Sequence, residues 1–207
     1  MLEFFLNAYK TASLTQIILE FTVFIFGILS VWFAKKENIL VYPTGLIATI
    51  ITTYLLFKAG YLGDMVINFY FSVMSIYGWV NWSKNANKNE CLTISRTNDN
   101  QKIIGFALFF ITIFVVFGIY IYFNYDIKID NYIDIFTSGI FFTAMWFMAI
   151  KKIENWTLWI LGDIIVVPLY AYRGLGMLSL QYLIFTILAI SAYLEWKKIL
   201  NNSQHLS

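Results

Sequence analysis

Residues 154–172 read ENWTLWILGDIIVVPLYAY, an apolar run with one carboxylate, Asp163, near its middle and Trp159 four positions before it. On a helix these two side chains lie one turn apart on the same face. An ionised aspartate at the centre of a membrane span costs ~2.5–3.5 kcal/mol, so it needs a cavity, an ion or a cationic ligand beside it. The face of an indole attracts organic cations. Acid and indole together suit a flat, positively charged ring. The competing expectation is a structural acid, protonated or bonded to a neighbouring helix. Trp156, Val167 and Tyr170 share this face. Asn68, Ser72, Ser75, Trp79 and Trp82 share a face of an earlier segment, and Tyr182, Thr186, Ala189, Tyr193 and Trp196 hold the matching places of a later one. The candidate binding residues are therefore Trp159, Asp163, Asn68, Trp79, Gln181 and Tyr182, with Asn68 and Gln181 or Tyr182 suited to hydrogen-bonding a ligand's hydroxyl or amide groups. Trp82, Trp156 and Trp196 stand at the ends of their runs, where an interfacial aromatic belt is the first expectation. Glu20 and Asp64 are further carboxylates in or near apolar runs, each a candidate gate, ion site or pore lining.

Little else in the chain can do chemistry. Hydrolysis within a membrane needs a nucleophile with its base, a metal cluster, or two carboxylates sharing a proton. The single histidine, His205, is in the polar tail, and the single cysteine, Cys91, is in a polar stretch. No GxxxxGK[ST] phosphate loop is present. The sequence predicts no enzyme, no cofactor and no metal, and a net charge of +2 is too small to suggest nucleic acid.

The elements that position these residues follow from composition. Of 207 residues, 60% are hydrophobic and only 13% charged, too few charges to cover a water-soluble domain. Apolar runs of about 17–25 residues, the length that spans a bilayer core, predict seven transmembrane helices. They lie near 16–34, 39–57, 61–82, 103–123, 132–150, 156–172 and 176–196, making an all-α integral membrane protein. The first is read as a retained span, not a cleaved signal, and residues 1–15 as a possible interfacial segment. Of the fourteen lysines and arginines, ten fall on one side of these spans. By the positive-inside rule that side is cytoplasmic, with the N-terminus outside and the C-terminus inside.

The chain also echoes itself. Gly60 to Trp82 and Gly174 to Trp196 have equal spacing, and each closing tryptophan is followed within two residues by lysine. Segments 16–82 and 131–198 are thus expected to be two three-helix repeats, joined by residues 83–130 with a loop and a linker helix. A polar tail, 199–207, follows. Three helices plus one linker give both repeats the same orientation, an arrangement used by transporters that bind substrate between halves. Pro43 and Pro168 are candidate flex points.

YGWVNW (77–82), NWTLWILGD (155–163), the pattern of Leu169, Tyr170, Tyr172 and Gly174, and the closing YLEWKK resemble the PnuC family of vitamin uptake proteins across the chain from about residue 16. The resemblance implies a multi-pass permease of the bacterial inner membrane, with a duplicated SWEET-like 3+1+3 fold and a trimeric assembly. It implies transport of nicotinamide riboside by facilitated diffusion, followed by phosphorylation in the cytoplasm on the way to NAD. Members carrying that riboside resemble a WxxxN pattern where this chain reads WxxxD, from Trp159 to Asp163. Thiamine, also a flat cation, therefore stays open as the vitamin, and neutral riboflavin suits a buried acid less well. A membrane sensor or scaffold that does not transport is the expectation of another class.

Overall fold

The computed structural model describes residues 13–59, 62–86, 92–123, 127–174 and 176–204. Seven helices occur among the described residues: α1 (Leu14–Lys35), α2 (Val41–Ala59), α3 (Leu62–Ala86), α4 (Asp99–Tyr122), α5 (Ile129–Ala149), α6 (Glu154–Tyr172) and α7 (Gly176–Gln204). Residues 1–12 lie outside them, and with them most of the expected interfacial segment; Ser13 caps α1 by accepting a hydrogen bond from the Gln16 amide.

Five of the seven, α1, α2, α4, α5 and α7, are long and apolar enough to cross a membrane on composition alone. The other two, α3 and α6, fall short because they carry Asn68, Asn81, Asn155 and Asp163. Each of those two is flanked by more apolar helices. Packing runs α1 on α2, α2 on α3, α3 on α5, α5 on α6, α6 on α7, and α7 back on α1, which closes a ring of six. Helix α4 stands outside that ring against α5 and turns Ile103, Phe106, Ile111 and Phe114 outward. So much contiguous exposed apolar surface suits lipid, not water.

The tightest packing gathers where the basic residues are densest, hereafter the basic end. Tyr42, Trp82, Trp156, Trp196, Met145 and Met148 form its core. Contacts recur there between residues 114 positions apart. Tyr42 meets Trp82 edge-on at 5.1 Å and 87°, and Trp156 meets Trp196 at 5.5 Å and 90°. Trp82 Nε1 donates to the Ala149 carbonyl at 3.2 Å, and Trp196 Nε1 to the Lys35 carbonyl at 3.2 Å. Glu37 and Lys151, with φ of 51° and 50°, occupy the same left-handed place in the two turns α1–α2 and α5–α6.

Two sequence expectations change here. Trp82, Trp156 and Trp196 are not an interfacial belt: they are 5%, 2% and 0% exposed, buried because each ring fills the junction between two hairpins. Trp32 does sit in a belt-like place, exposed, with the Lys35 and Lys36 ammonium groups 5.2 and 5.9 Å from its ring centroid. The link between α3 and α4 is anchored near its C-terminal end. Its residues Ser95 and Thr97 are pinned to the α5–α6 turn, through Ser95 N–H to the Lys151 carbonyl at 3.2 Å, Ile153 N–H to the Ser95 carbonyl at 3.0 Å, and Thr97 N–H to Glu154 Oε2 at 3.0 Å. Pro43 also loses its expected role, since it lies in the first turn of α2, where a missing amide hydrogen breaks no helical bond. Pro168 is inside α6.

Candidate functional site

Helix α6 sets the site. Its turn from Trp159 to Asp163 faces α5, and the approach is close because Gly162 has no side chain: a Cβ there would overlap the Phe141 ring. Phe141 then stacks on Trp159, with centroids 5.3 Å apart and planes at 28°. From this pair an aromatic chain extends both ways through the ring of helices. On one side Phe71 of α3 lies 6.4 Å from Trp159, and Phe71 in turn meets Phe142, on which Tyr70 stacks at 3.6 Å and 4°. On the other side Phe141 stacks on Tyr182 of α7 at 6.2 Å, and Tyr182 meets Tyr170 and Phe185 at 5.2 and 5.7 Å. Phe71, Phe141 and Gly162 were not singled out in the sequence. The readable signal was Gly162, a glycine inside a helical run, which marks close approach of a neighbour.

Asp163 is 2% exposed, and its Oδ1 accepts no hydrogen bond among the described residues. Among the described residues no lysine or arginine is paired with it, and in the sequence every basic residue lies at the margin of an apolar run or outside it. A buried acid oxygen without a partner is costly, and such groups cluster where a ligand or an ion completes them. These residue types suit a flat cation: aromatic faces to stack on and one carboxylate to balance charge.

Of the six predicted residues, the structure joins Trp159 and Tyr182 by ring contacts. Trp159 and Tyr182 meet through Phe141, Asp163 lies one turn from Trp159 on α6 beside Gly162, and Gln181 places its amide nitrogen against Gly27 of α1, 3.2 Å from where a Cβ would stand. Asn68 is half-buried on α3, its carbonyl accepting from Ser72 Oγ at 3.1 Å. Trp79 departs from expectation. It shares the helical face of Ser72, Ser75 and Trp82, all buried, yet is itself 40% exposed. That face is taken up by α2, with Ser72 Oγ donating to Thr49 Oγ1 at 2.8 Å and Tyr42 lying over Gly78, so the stripe packs helix on helix and the Trp79 indole is left at its edge. Glu20 accepts from Gln16 Nε2 at 2.8 Å within α1, and the Asp64 side chain lies outside the described residues. At the far end of α6, Arg173 clamps α5 through Asp130 and Asp134 at 2.7 and 2.6 Å. Those two carboxylates hold the guanidinium firmly charged against the opposing pull of burial. A separate groove of about 500 Å³ runs outside the ring between α4, α5 and α6, lined by Phe106, Phe136, Phe147 and Leu161 and by none of the six predicted residues.

Residues 17–198 match the family described as nicotinamide mononucleotide transporter. This chain belongs to that family. Its members are multi-pass membrane transporters, and the PnuC resemblance read from the sequence points to the same place. Two curated relatives, both called nicotinamide riboside transporter PnuC, come from Escherichia coli (strain K12) and Shigella flexneri; each is 24% identical, over 82% of this chain and 81% of the relative. The fold is similar to a crystal structure of the vitamin B3 transporter PnuC, with a TM-score of 0.70 at 21% identity, over 89% of this chain and 82% of that one.

The glycine at the centre of the site gives a direct check. Gly162→Ala is expected to lower stability by about 1–3 kcal/mol, since the added methyl must push Phe141 away from α6 and off Trp159. Gly118→Ala on α4, where an added Cβ meets nothing within 4 Å, serves as the control and should be neutral or slightly stabilising. Melting curves of the purified variants in detergent read both.

Proposed function

We propose that this chain is a permease for nicotinamide riboside, working by facilitated diffusion with alternating access, with phosphorylation in the cytoplasm retaining the product. One observation carries the choice of substrate: the buried acid Asp163 stands one turn from Trp159, its Oδ1 without a hydrogen-bond partner among the described residues. The family description names a mononucleotide. Its phosphate would add negative charge near an unpaired buried carboxylate, where like charges repel strongly. The riboside has the pyridinium without the phosphate. In this reading Trp159 stacks on the pyridinium, Asp163 balances its charge, and Asn68 with Gln181 or Tyr182 bonds the ribose hydroxyls or the carboxamide. Trp79, turned to the edge of α3, is left out of the binding set.

The two halves, 16–82 and 131–198, act as parallel repeats in a SWEET-like 3+1+3 arrangement and rock about the site. The contacts shared by residues 114 apart, and the helix ring with α4 outside it, support this reading. The basic end faces the cytoplasm of a bacterial inner membrane, by the excess of lysine and arginine there. A homotrimer follows from the family resemblance. Thiamine transport is not favoured, because the named relatives carry the riboside.

The test is uptake into proteoliposomes of riboside, mononucleotide and thiamine, each labelled. The expected result is saturable riboside entry at least about tenfold faster than mononucleotide entry, a difference of about 1.4 kcal/mol in favour of the unphosphorylated cation. Preference for the mononucleotide or thiamine overturns the substrate. Binding without entry of any of them makes the chain a sensor.

A further inference from the structure

We infer that the buried core at the basic end is the gate that opens for release, and that the Glu37–Lys151 ion pair is its latch. The inference rests on the alternating-access reading above, but not on which vitamin is carried.

The polar contacts described between the α1–α3 half and the α5–α7 half gather at this end. Trp82 and Asn81 both donate to the Ala149 carbonyl, at 3.2 and 2.9 Å, and Trp196 donates to that of Lys35. Lys35 Nζ donates to Ser191 Oγ at 2.7 Å, and Lys36 pairs with Glu195 at 2.9 Å. Each half thus hooks an indole onto the first turn of the other. At the meeting point of those turns, Lys151 Nζ lies 3.0 Å from Glu37 Oε2 and 4.5 Å from the Trp82 ring centroid. One ammonium group ties the turn of each half to an indole hook.

Two features show that the closed state is held, not merely comfortable. Both latch residues sit at positive φ, 51° and 50°, a conformation that side-chain-bearing residues rarely adopt unless their surroundings fix it. Three buried polar atoms in this same core, Tyr42 Oη, Asn155 Oδ1 and Trp156 Nε1, have no hydrogen-bond partner among the described residues. Opening this end to the aqueous phase would let all three bond to water. Closure therefore needs an interaction across the halves to oppose that gain, and Glu37 with Lys151 supplies it in a partly buried place, 27% and 13% exposed. When the latch parts, both indole hooks lose their anchoring turns together.

The experiment is labelling of a reporter cysteine in Ala189→Cys, a position 1% exposed within the core, in the full chain with Cys91→Ser, reconstituted and treated with a membrane-impermeant thiol reagent from the basic side. Glu37→Gln and Lys151→Gln are each expected to raise the labelling rate about fivefold, the size of one partly buried ion pair. The double variant should be no faster than either single one, because both remove the same interaction. The exchange Glu37→Lys with Lys151→Glu should return the rate to within about twofold of the parent. Unchanged labelling in the single variants, or a double variant whose rate is the product of the two, overturns the latch. No substrate is added, so failure of riboside transport would sink the substrate assignment and leave this result standing.

Discussion

Asp163→Asn, which gives the WxxxN pattern that the resemblance implies for riboside carriers, is expected to weaken binding of nicotinamide riboside by about 3- to 10-fold, or about 0.7–1.4 kcal/mol. The amide is still able to bond the ligand but no longer balances its charge. The substitution keeps the shape and removes the charge. Asp163 is buried and has no lysine or arginine paired with it among the described residues, so the attraction it offers is poorly screened. The comparison that isolates charge uses the reduced form of the riboside, whose dihydropyridine ring is neutral. Its affinity should move by less than about twofold, since stacking on Trp159 and bonds to the ribose are untouched. Calorimetric titration of both ligands against both proteins reads the four values. Equal losses for the two ligands would make Asp163 a structural acid and remove the electrostatic part of the account.

Trp196→Ala is expected to give the largest single loss of stability, about 3–5 kcal/mol, the range for deleting a fully buried large aromatic side chain. The ring is 0% exposed, packs edge-on against Trp156, and closes the basic end by donating to the Lys35 carbonyl. Trp79→Ala, by contrast, removes a ring that is 40% exposed and should cost under about 1 kcal/mol. Melting in detergent separates them. A similar loss at both positions would mean that the indole at 196 is no more a keystone than a lipid-facing one.

The helices were legible because lipid imposes a length and an apolarity that few other environments require. The pairing of Trp82 with Trp196 at equal spacing was legible too, but not what the rings do. A tryptophan at the end of an apolar run reads the same whether it meets headgroups or a neighbouring turn. The difference lies in the turns they bond, Lys35 and Ala149, which are distant in sequence. The exposure of Trp79 was hidden for a related reason. Helical spacing places it on the face of Ser72 and Ser75, but only the structure shows α2 already occupying that face through Thr49. In the site itself Asp163 and Trp159 stood out, since a lone acid in an apolar run is conspicuous. Phe141 did not, being one of twenty phenylalanines with nothing local to mark it. What fixes it is Gly162 on the opposing helix, a pairing between elements that no period within one element encodes.

The most direct test of the central claim is an experimental structure of the purified protein with nicotinamide riboside bound. The account predicts the pyridinium within about 6 Å of the Trp159 ring centroid and its charge within about 4–6 Å of the Asp163 carboxylate. A riboside lodged instead in the groove between α4 and α6, or bound in the ring with Asp163 turned away from it, would contradict the account.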